Sequence, residues 1–429
     1  MNSTPSLSAI YHKINWRILP FLLLCYVFAF LDRINIGFAK LQMQQDIGLT
    51  DSAYGIAAGI FFLGYVLFEI PSNLYLTKIG ARKTLSRIMI LWGITSACLF
   101  LVKNAQALYI LRFLLGVFEA GFAPGVIFYF TYWYAQSRMT SVLSIFMFAI
   151  PIGGIVGSPL STWIMTAFHG NYGLAGWQWM FLLQGLPCII LGLIAFCFLE
   201  DKPEHAQWLS ANEKKLLAAD IASHSTQQTS FRRVLKDKRI YTMAFSYFCI
   251  IAAMYTISFW LATILRNAGI TDVMEIGLYS IIPYFTAGIS MFIFSRSADH
   301  YRERRWHCSV LAMLGAIALC MAAMMTNHFI LFLISISLAT AFMFSSYTIF
   351  WAMPSDFLKG QAAAGGIALI NSLGLLGGFV SPSLIGFANT WYGNPNAGLF
   401  LMSGLLLIGS VVIALHPSSA KICKSNYSS

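Results

Sequence analysis

The sequence predicts an all-α integral membrane protein, with twelve transmembrane helices in two pseudo-symmetric halves of six. Three observations carry that expectation. Of the 429 residues, 58% are hydrophobic and only 10% charged, against roughly 25% charged in soluble domains. Twelve apolar runs of spanning length lie six on each side of a polar stretch. Lys and Arg fall almost entirely on alternate connections between those runs.

A helix needs about 20 apolar residues to cross a hydrocarbon core of about 30 Å. Such runs occupy 18–38, 54–76, 84–103, 106–130, 141–167 and 177–199, and then 241–265, 276–298, 307–326, 328–352, 362–388 and 396–416. The close pair across 307–352 is open to a different division. Residues 1–16 are polar and the first run is too long for a signal-peptide core, so no cleavable leader is expected. The halves are expected at 1–199 and 241–429, joined by a cytoplasmic linker at 200–240. In that linker EDKPEHAQWLSANEKKLLAAD predicts a short amphipathic helix starting near Ser210, with Glu213 at capping-box spacing.

Placing the N-terminus inside puts twenty-two of the 27 Lys and Arg on cytoplasmic segments. Lys40, Lys103 and Arg266 fall on external loops, and Arg33 and Arg112 within spans. This asymmetry follows the positive-inside rule and predicts both termini in the cytoplasm. It also accounts for the net charge of +11 without nucleic acid, because the basic segments face an anionic leaflet. The eight Cys are scattered, without CxxC or His partners at metal spacing, and read as small buried hydrophobes. No cofactor or metal is expected. No P-loop is present, so ATP hydrolysis within the chain does not drive it, and no nucleophile or cofactor motif suggests an enzyme.

Weak internal repetition supports two halves. GGIVGSPL at 153–160 is echoed by GGFVSPSL at 377–384, and KIGARK at 78–83 by HYRERR at 300–305; the offsets are 224 and 222 residues. Duplicated halves are the architecture of many secondary transporters. The Gly-rich segments let helices approach closely, for packing alone or for flexing as well.

Away from span ends, the membrane holds Asp32, Arg33, Glu69, Arg112 and Glu119. A charge at the bilayer centre costs about 2.5–3.5 kcal/mol on insertion scales, so these residues define a functional hypothesis. The alternative is an ion-pair network that holds helices together, and the two roles are compatible. Arg112 and Glu119 are seven residues apart and share a helix face, about 10 Å apart along the axis, too far to pair directly. Asp32 and Arg33 are adjacent and diverge by about 100°, so each needs a partner elsewhere. Apposing the first and fourth spans would gather all four around one cavity. A guanidinium suits a carboxylate substrate, and a buried carboxylate suits a proton. Two acids and two bases around one cavity therefore suit proton-coupled uptake of an organic anion. Glu69 precedes a kink expected at Pro71 and reads as a gate or helix-end partner before a substrate or proton group. Tyr65, Tyr255, Ser258, Trp260, Tyr347, Thr348 and Asn371 offer further contacts, or ordinary interhelical hydrogen bonds.

NLYLTKIGARK at 73–83 resembles the basic-loop signature of the major facilitator superfamily, with Asn73 and Thr77 where that signature has Gly and Asp. SRSADHYRERR at 295–305 keeps the acid as Asp299. This resemblance implies the major facilitator fold and cytoplasmic gating by Arg82, Lys83, Asp299 and Arg304. FLDRINIGFAKLQM, PSNLYLTKIGARK, LRFLLGVFEAGFAPG and FWAMPSDFLKGQAAAGGIALINSLGLLGGFVSP are similar to blocks of its anion:cation symporter family. That includes bacterial tartrate, rhamnonate, phthalate and hydroxyphenylacetate carriers. It implies proton coupling at Asp32 and Glu119, anion binding at Arg33 and Arg112, and a substrate-contacting tyrosine at Tyr65. The expectation is a monomeric inner-membrane carrier that takes up a small organic anion with protons. A proton-coupled efflux antiporter of the same fold and an anion exchanger are the alternatives.

Overall fold

The computed structural model describes residues 6–222, 237–301, 303–354, 361–394 and 396–416. Arg302, Lys359 and most of the second basic run of the linker lie outside these residues. Among the described residues, twelve helices are long and apolar enough to cross a membrane: Leu7–Asp46, Asp51–Ile79, Ala81–Leu101, Ala105–Trp133, Gln136–Ala167, Gly176–Phe198, Lys238–Asn267, Val273–Tyr301, Arg304–Met324, Phe329–Phe350, Gly365–Tyr392 and Ala397–Leu415. They are called the first to twelfth spans below. The division of 307–352 falls at residues 325–328, where Met325 and His328 leave the helical path.

Polar caps start many of these helices. Ser6, Thr50 and Asn104 each accept the backbone N–H three residues on, satisfying donors that a helix start leaves free. In the linker, Ser210 and Glu213 exchange a capping box: Ser210 N–H to Glu213 Oε2 at 2.8 Å and Glu213 N–H to Ser210 Oγ at 3.3 Å. The linker helix, Ala211–Ala222, is pinned to the first span by Lys13 Nζ on Glu213 Oε1 at 2.5 Å and Tyr11 Oη on Asp220 at 2.6 Å. The Lys13 hydrogen bond holds the Glu213 carboxyl below the usual carboxylate range.

Two spans expected to be continuous are broken. The regular hydrogen bonding of the fifth is interrupted at Phe148, whose N–H turns to the Ile145 carbonyl. The fourth is interrupted directly after Glu119: Ala120 is non-helical and Gly121 sits at φ +86°, with Ser72 where a Cβ would stand. Only glycine takes that conformation without strain, so the chain turns where the buried acid ends its helix.

Pseudo-symmetry appears in the packing. Gly154 of the fifth span lies on the ring of Tyr284 in the eighth, and Gly378 of the eleventh lies on the ring of Phe62 in the second. Both glycines belong to the repeated Gly-rich segments, and each contact crosses between halves. The seventh span is sheathed almost entirely by its neighbours. It packs against the first within this inter-half seam.

Glycines also fix the distance between the second and fourth spans. A Cβ on Gly116 would strike the backbone of Phe61, and one on Gly64 would strike the backbone of Phe113. Small residues are what allow such backbone approach in membranes. Gly116→Val is expected to destabilise the protein by about 1–3 kcal/mol, the usual cost of overpacking. Thermal unfolding of the detergent-purified variant beside the parent checks this.

Candidate functional site, a buried charge centre between the halves

Every intramembrane ionisable residue singled out from the sequence is buried, but the four expected around one cavity form two centres, and Glu69 pairs elsewhere, with Asn371. Arg33 projects from the first span towards the seam. One guanidinium nitrogen, Nη2, pairs with Glu119 Oε1, and the other, Nη1, donates to Tyr255 Oη of the seventh span at 2.8 Å. Its carbon sits 5.2 Å from the Phe61 ring centre and 5.6 Å from that of Tyr65. An ion pair so enclosed gains strength from the low dielectric but costs desolvation of both ions. Three buried polar atoms here remain without partners: Arg33 Nε, Glu119 Oε2 and Arg112 Nη1.

Arg112 shares the Glu119 face of the fourth span yet does not ion-pair with it, as the two-turn spacing predicts. Its guanidinium donates to the Ala57 and Ala58 carbonyls of the second span at 3.3 and 3.5 Å and lies 5.2 Å from the Phe61 ring centre. Phe61 thereby has two guanidinium groups within 5.2 Å of its ring centre. Carbonyls carry only partial charge, so Arg112 is a cation held in place but not neutralised by a paired carboxylate.

Asp32 corrects the expectation of a single cavity shared by two acids and two bases. Its side chain diverges from Arg33, turning instead into the packing of the first, third and sixth spans. There it accepts Trp92 Nε1–H at 2.9 Å and Cys188 S–H at 3.1 Å, with Asn35 Nδ2 more distant at 3.4 Å. Asn35 continues to Gln184, and Gln184 to Ser161, at 3.1 and 2.9 Å. The physical reason is the 100° step between adjacent helical residues, which carries Asp32 beyond the face that meets the fourth span.

Glu69 and Asn371, assigned separately from the sequence, are partners: Asn371 Nδ2 donates to Glu69 Oε1 at 2.8 Å, linking the second and eleventh spans across the halves. Glu69 Oε2 has no partner. Thr348 gives its hydroxyl hydrogen to the Phe344 carbonyl of its own helix at 2.9 Å, so it does not donate into the centre. Its neighbour Tyr347 is buried and within electrostatic reach of Arg33 and Tyr255. Ser258 likewise donates within its helix, to Met254.

Unlike Glu69, the expected gating residues of the basic loops have their described contacts within their own halves. Arg82 takes Asp201 through its backbone N–H at 2.8 Å and lays its guanidinium over Phe196, while Lys83 is exposed. Arg304 reaches Asp299 at 3.8 Å and the Ala352 carbonyl at 2.9 Å. With Asp299 68% exposed, such a pair contributes at most about 1 kcal/mol.

Sequence reasoning missed Tyr26 and Lys40. Tyr26 is buried and interacts electrostatically with Arg33, Glu119, Tyr255 and Tyr347. It stands seven residues before Arg33, on the same helix face, and that spacing was a usable signal. Lys40, assigned to a loop, is only 1% exposed. It pairs with Asp51 at 3.0 Å at the end of the bundle remote from the linker, the distal end.

Twelve spans in two related halves, with the buried ionisable residues of the spans at the seam and in the packing beside it, are the architecture of a membrane transporter. Residues 22–382 match the Major Facilitator Superfamily, and the chain belongs to that family. It is 44% identical to a proposed tartrate transporter of Agrobacterium vitis, over 95% of this chain and 92% of that one. It is 41% identical to a proposed metabolite transport protein, NicT, of Pseudomonas putida, over 96% and 95%. A quinolone resistance transporter of Acinetobacter baumannii is 38% identical over 93% of each chain. Among solved structures, a bacterial homologue of the human lysosomal transporter Spinster, in an inward-facing unoccupied conformation, aligns over 99% of each chain with a TM-score of 0.77 and 16% identity.

Proposed function

We propose that the protein takes up a small organic anion, a sugar acid, hydroxy-dicarboxylate or aromatic carboxylate, together with protons by alternating access. The observation that carries this is the Arg33–Glu119 pair, with Arg33 Nε, Glu119 Oε2 and Arg112 Nη1 lacking partners around it. Protonation of Glu119 removes the charge that occupies Arg33, and the freed guanidinium then takes a carboxylate. Proton and anion thus arrive as a linked event at one site. Tyr255, Tyr65, Tyr26 and Tyr347 supply hydroxyls or ring faces around it, while Asn371 is held to Glu69 on the linker side. The proposed tartrate relative supports an anionic cargo. The basic loops of the linker end support its placement in the cytoplasm, with the distal end outside the inner membrane.

The quinolone resistance relative favours a second reading, proton-coupled efflux. A quinolone also carries a carboxylate, so the same arginine would recognise it. Proteoliposomes given an inward proton gradient separate the two. Uptake of tartrate, an aldonate, glucarate or an aromatic acid, abolished by a protonophore, is the expected result. Proton-driven movement of a quinolone alone, in the opposite direction to the protons, would overturn uptake in favour of efflux.

A further inference from the structure

The distal seal contains a cation that the central site does not use. Lys40 stands seven residues after Arg33, so both project from one face of the first span, about 10 Å apart along its axis. Its ammonium meets Asp51 Oδ1 at 3.0 Å, Thr263 Oγ1 at 3.2 Å, and the ring centres of Trp260 and Tyr54 at 4.0 and 4.9 Å. Thr263 and Trp260 belong to the seventh span, in the other half. Asp51 also receives Gln44 at 2.7 Å and, from the eleventh span, Asn389 at 3.3 Å. Arg266 Nη1 on the Leu41 carbonyl at 2.9 Å and Tyr54 Oη on the Phe259 carbonyl at 2.5 Å complete the seam.

Two asymmetries give this cluster a direction. Separating the halves at the distal end strips Thr263 and Trp260 from the ammonium but leaves Asp51, which is on the same half. Asp51 is already one-quarter exposed, whereas Lys40 is not. On opening, the carboxylate can therefore swing into water while the ammonium remains in the vestibule wall. An ammonium with three donors binds a carboxylate as a point charge and exchanges it without fixed geometry. Below it lie Arg112, with its unpartnered Nη1, and then Arg33.

We propose that Lys40 is an entry subsite for the carboxylate of the transported anion, filled by Asp51 when the distal end is shut and by the anion when it opens. The exchange keeps the ammonium neutralised in both states. The shut seal carries no net charge from the pair, and an open vestibule without anion holds a poorly compensated cation that attracts one. This inference rests on the organic-anion reading above, and it adds a first contact outside the central pair.

Its test compares Lys40→Gln with Asp51→Asn, using tartrate as probe in oriented proteoliposomes. Spin labels on Gln45→Cys and Asn267→Cys, both exposed on opposite halves at the distal end, report the seal in protein whose native cysteines are replaced. Each variant is expected to shift the label pair towards longer distance without tartrate, since Lys40 carries the cross-half contacts to Thr263 and Trp260 and Asp51 the one from Asn389. Their transport should differ in sign: Lys40→Gln raises KM for external tartrate at least tenfold, and Asp51→Asn lowers it or leaves it unchanged. KM for tartrate presented from the linker side should stay within twofold in both. Parallel increases in external KM for the two variants would reduce Lys40 to a latch and overturn the subsite. So would an unchanged KM in Lys40→Gln. A wild-type protein that moves no tartrate, aldonate, glucarate or aromatic acid overturns the underlying anion reading, and the subsite with it.

Discussion

Arg33→Gln lowers kcat/KM for anion uptake by about 100-fold or more, and Arg33→Lys recovers only part of it. Truncating one partner of a buried, hydrogen-bonded charge pair costs about 2–5 kcal/mol, which at 1.4 kcal/mol per factor of ten spans that loss. The argument is geometric. Arg33 serves Glu119 and Tyr255 with two separate nitrogens and has Nε left over. A lysine carries the charge but cannot hold Glu119 and Tyr255 in that fork while presenting another edge to a carboxylate. Glutamine leaves Glu119 buried opposite a neutral amide, so the variant also has a fold risk. Thermal unfolding read beside equilibrium binding of tartrate separates the two losses. A folded Arg33→Gln protein that binds and accumulates tartrate within threefold of the parent would remove Arg33 from the anion site.

The architecture was legible because a bilayer leaves few solutions: apolar length fixes the spans, and basic loops fix the alternation. The repeat offsets of 222 and 224 residues found contacts that the structure supplies in matching pairs, Gly154 on Tyr284 and Gly378 on Phe62. Helical angles separated Asp32 from Arg33 correctly. What they do not contain is the rotation of the first span against its neighbours, and so Asp32 was placed beside the arginines when it faces Trp92 and Cys188. The break after Glu119 was hidden because Ala120 and Gly121 read as ordinary small residues of an apolar run. Lys40 was lost to a boundary, since the apolar run ends near residue 38 while the helix continues to Asp46. The contacts described for the basic turns lie within single halves, a detail that sequence similarity alone does not express.

Glu119→Gln and Asp32→Asn uncouple transport in different ways. Glutamine at 119 resembles the protonated acid permanently: Arg33 loses its ionised partner and stays available to a carboxylate. Tartrate binding should therefore persist or tighten at neutral pH, and exchange of internal for external tartrate should continue. Accumulation driven by a proton gradient should fall at least 30-fold, because one protonation step is gone. Asp32 touches neither arginine. It is ringed by donors, Trp92 Nε1–H, Cys188 S–H and Asn35 Nδ2, and an asparagine amide turned towards any of them sets donor against donor. A buried donor without an acceptor costs about 1–3 kcal/mol, so Asp32→Asn should destabilise the first, third and sixth spans as well as weaken proton-driven uptake. Replacing Cys188 with Ala removes one of those donors and should leave tartrate exchange close to the parent in rate. The double variant, Asp32→Asn with Glu119→Gln, should carry tartrate down its gradient with no response to pH between 5.5 and 8, on the order of the range where buried carboxylates exchange protons. Retained proton-driven accumulation in that double variant would place the coupling on other residues. Glu69, the remaining buried acid within the spans, with Oε2 unpartnered and Asn371 on its other oxygen, would be the next to replace.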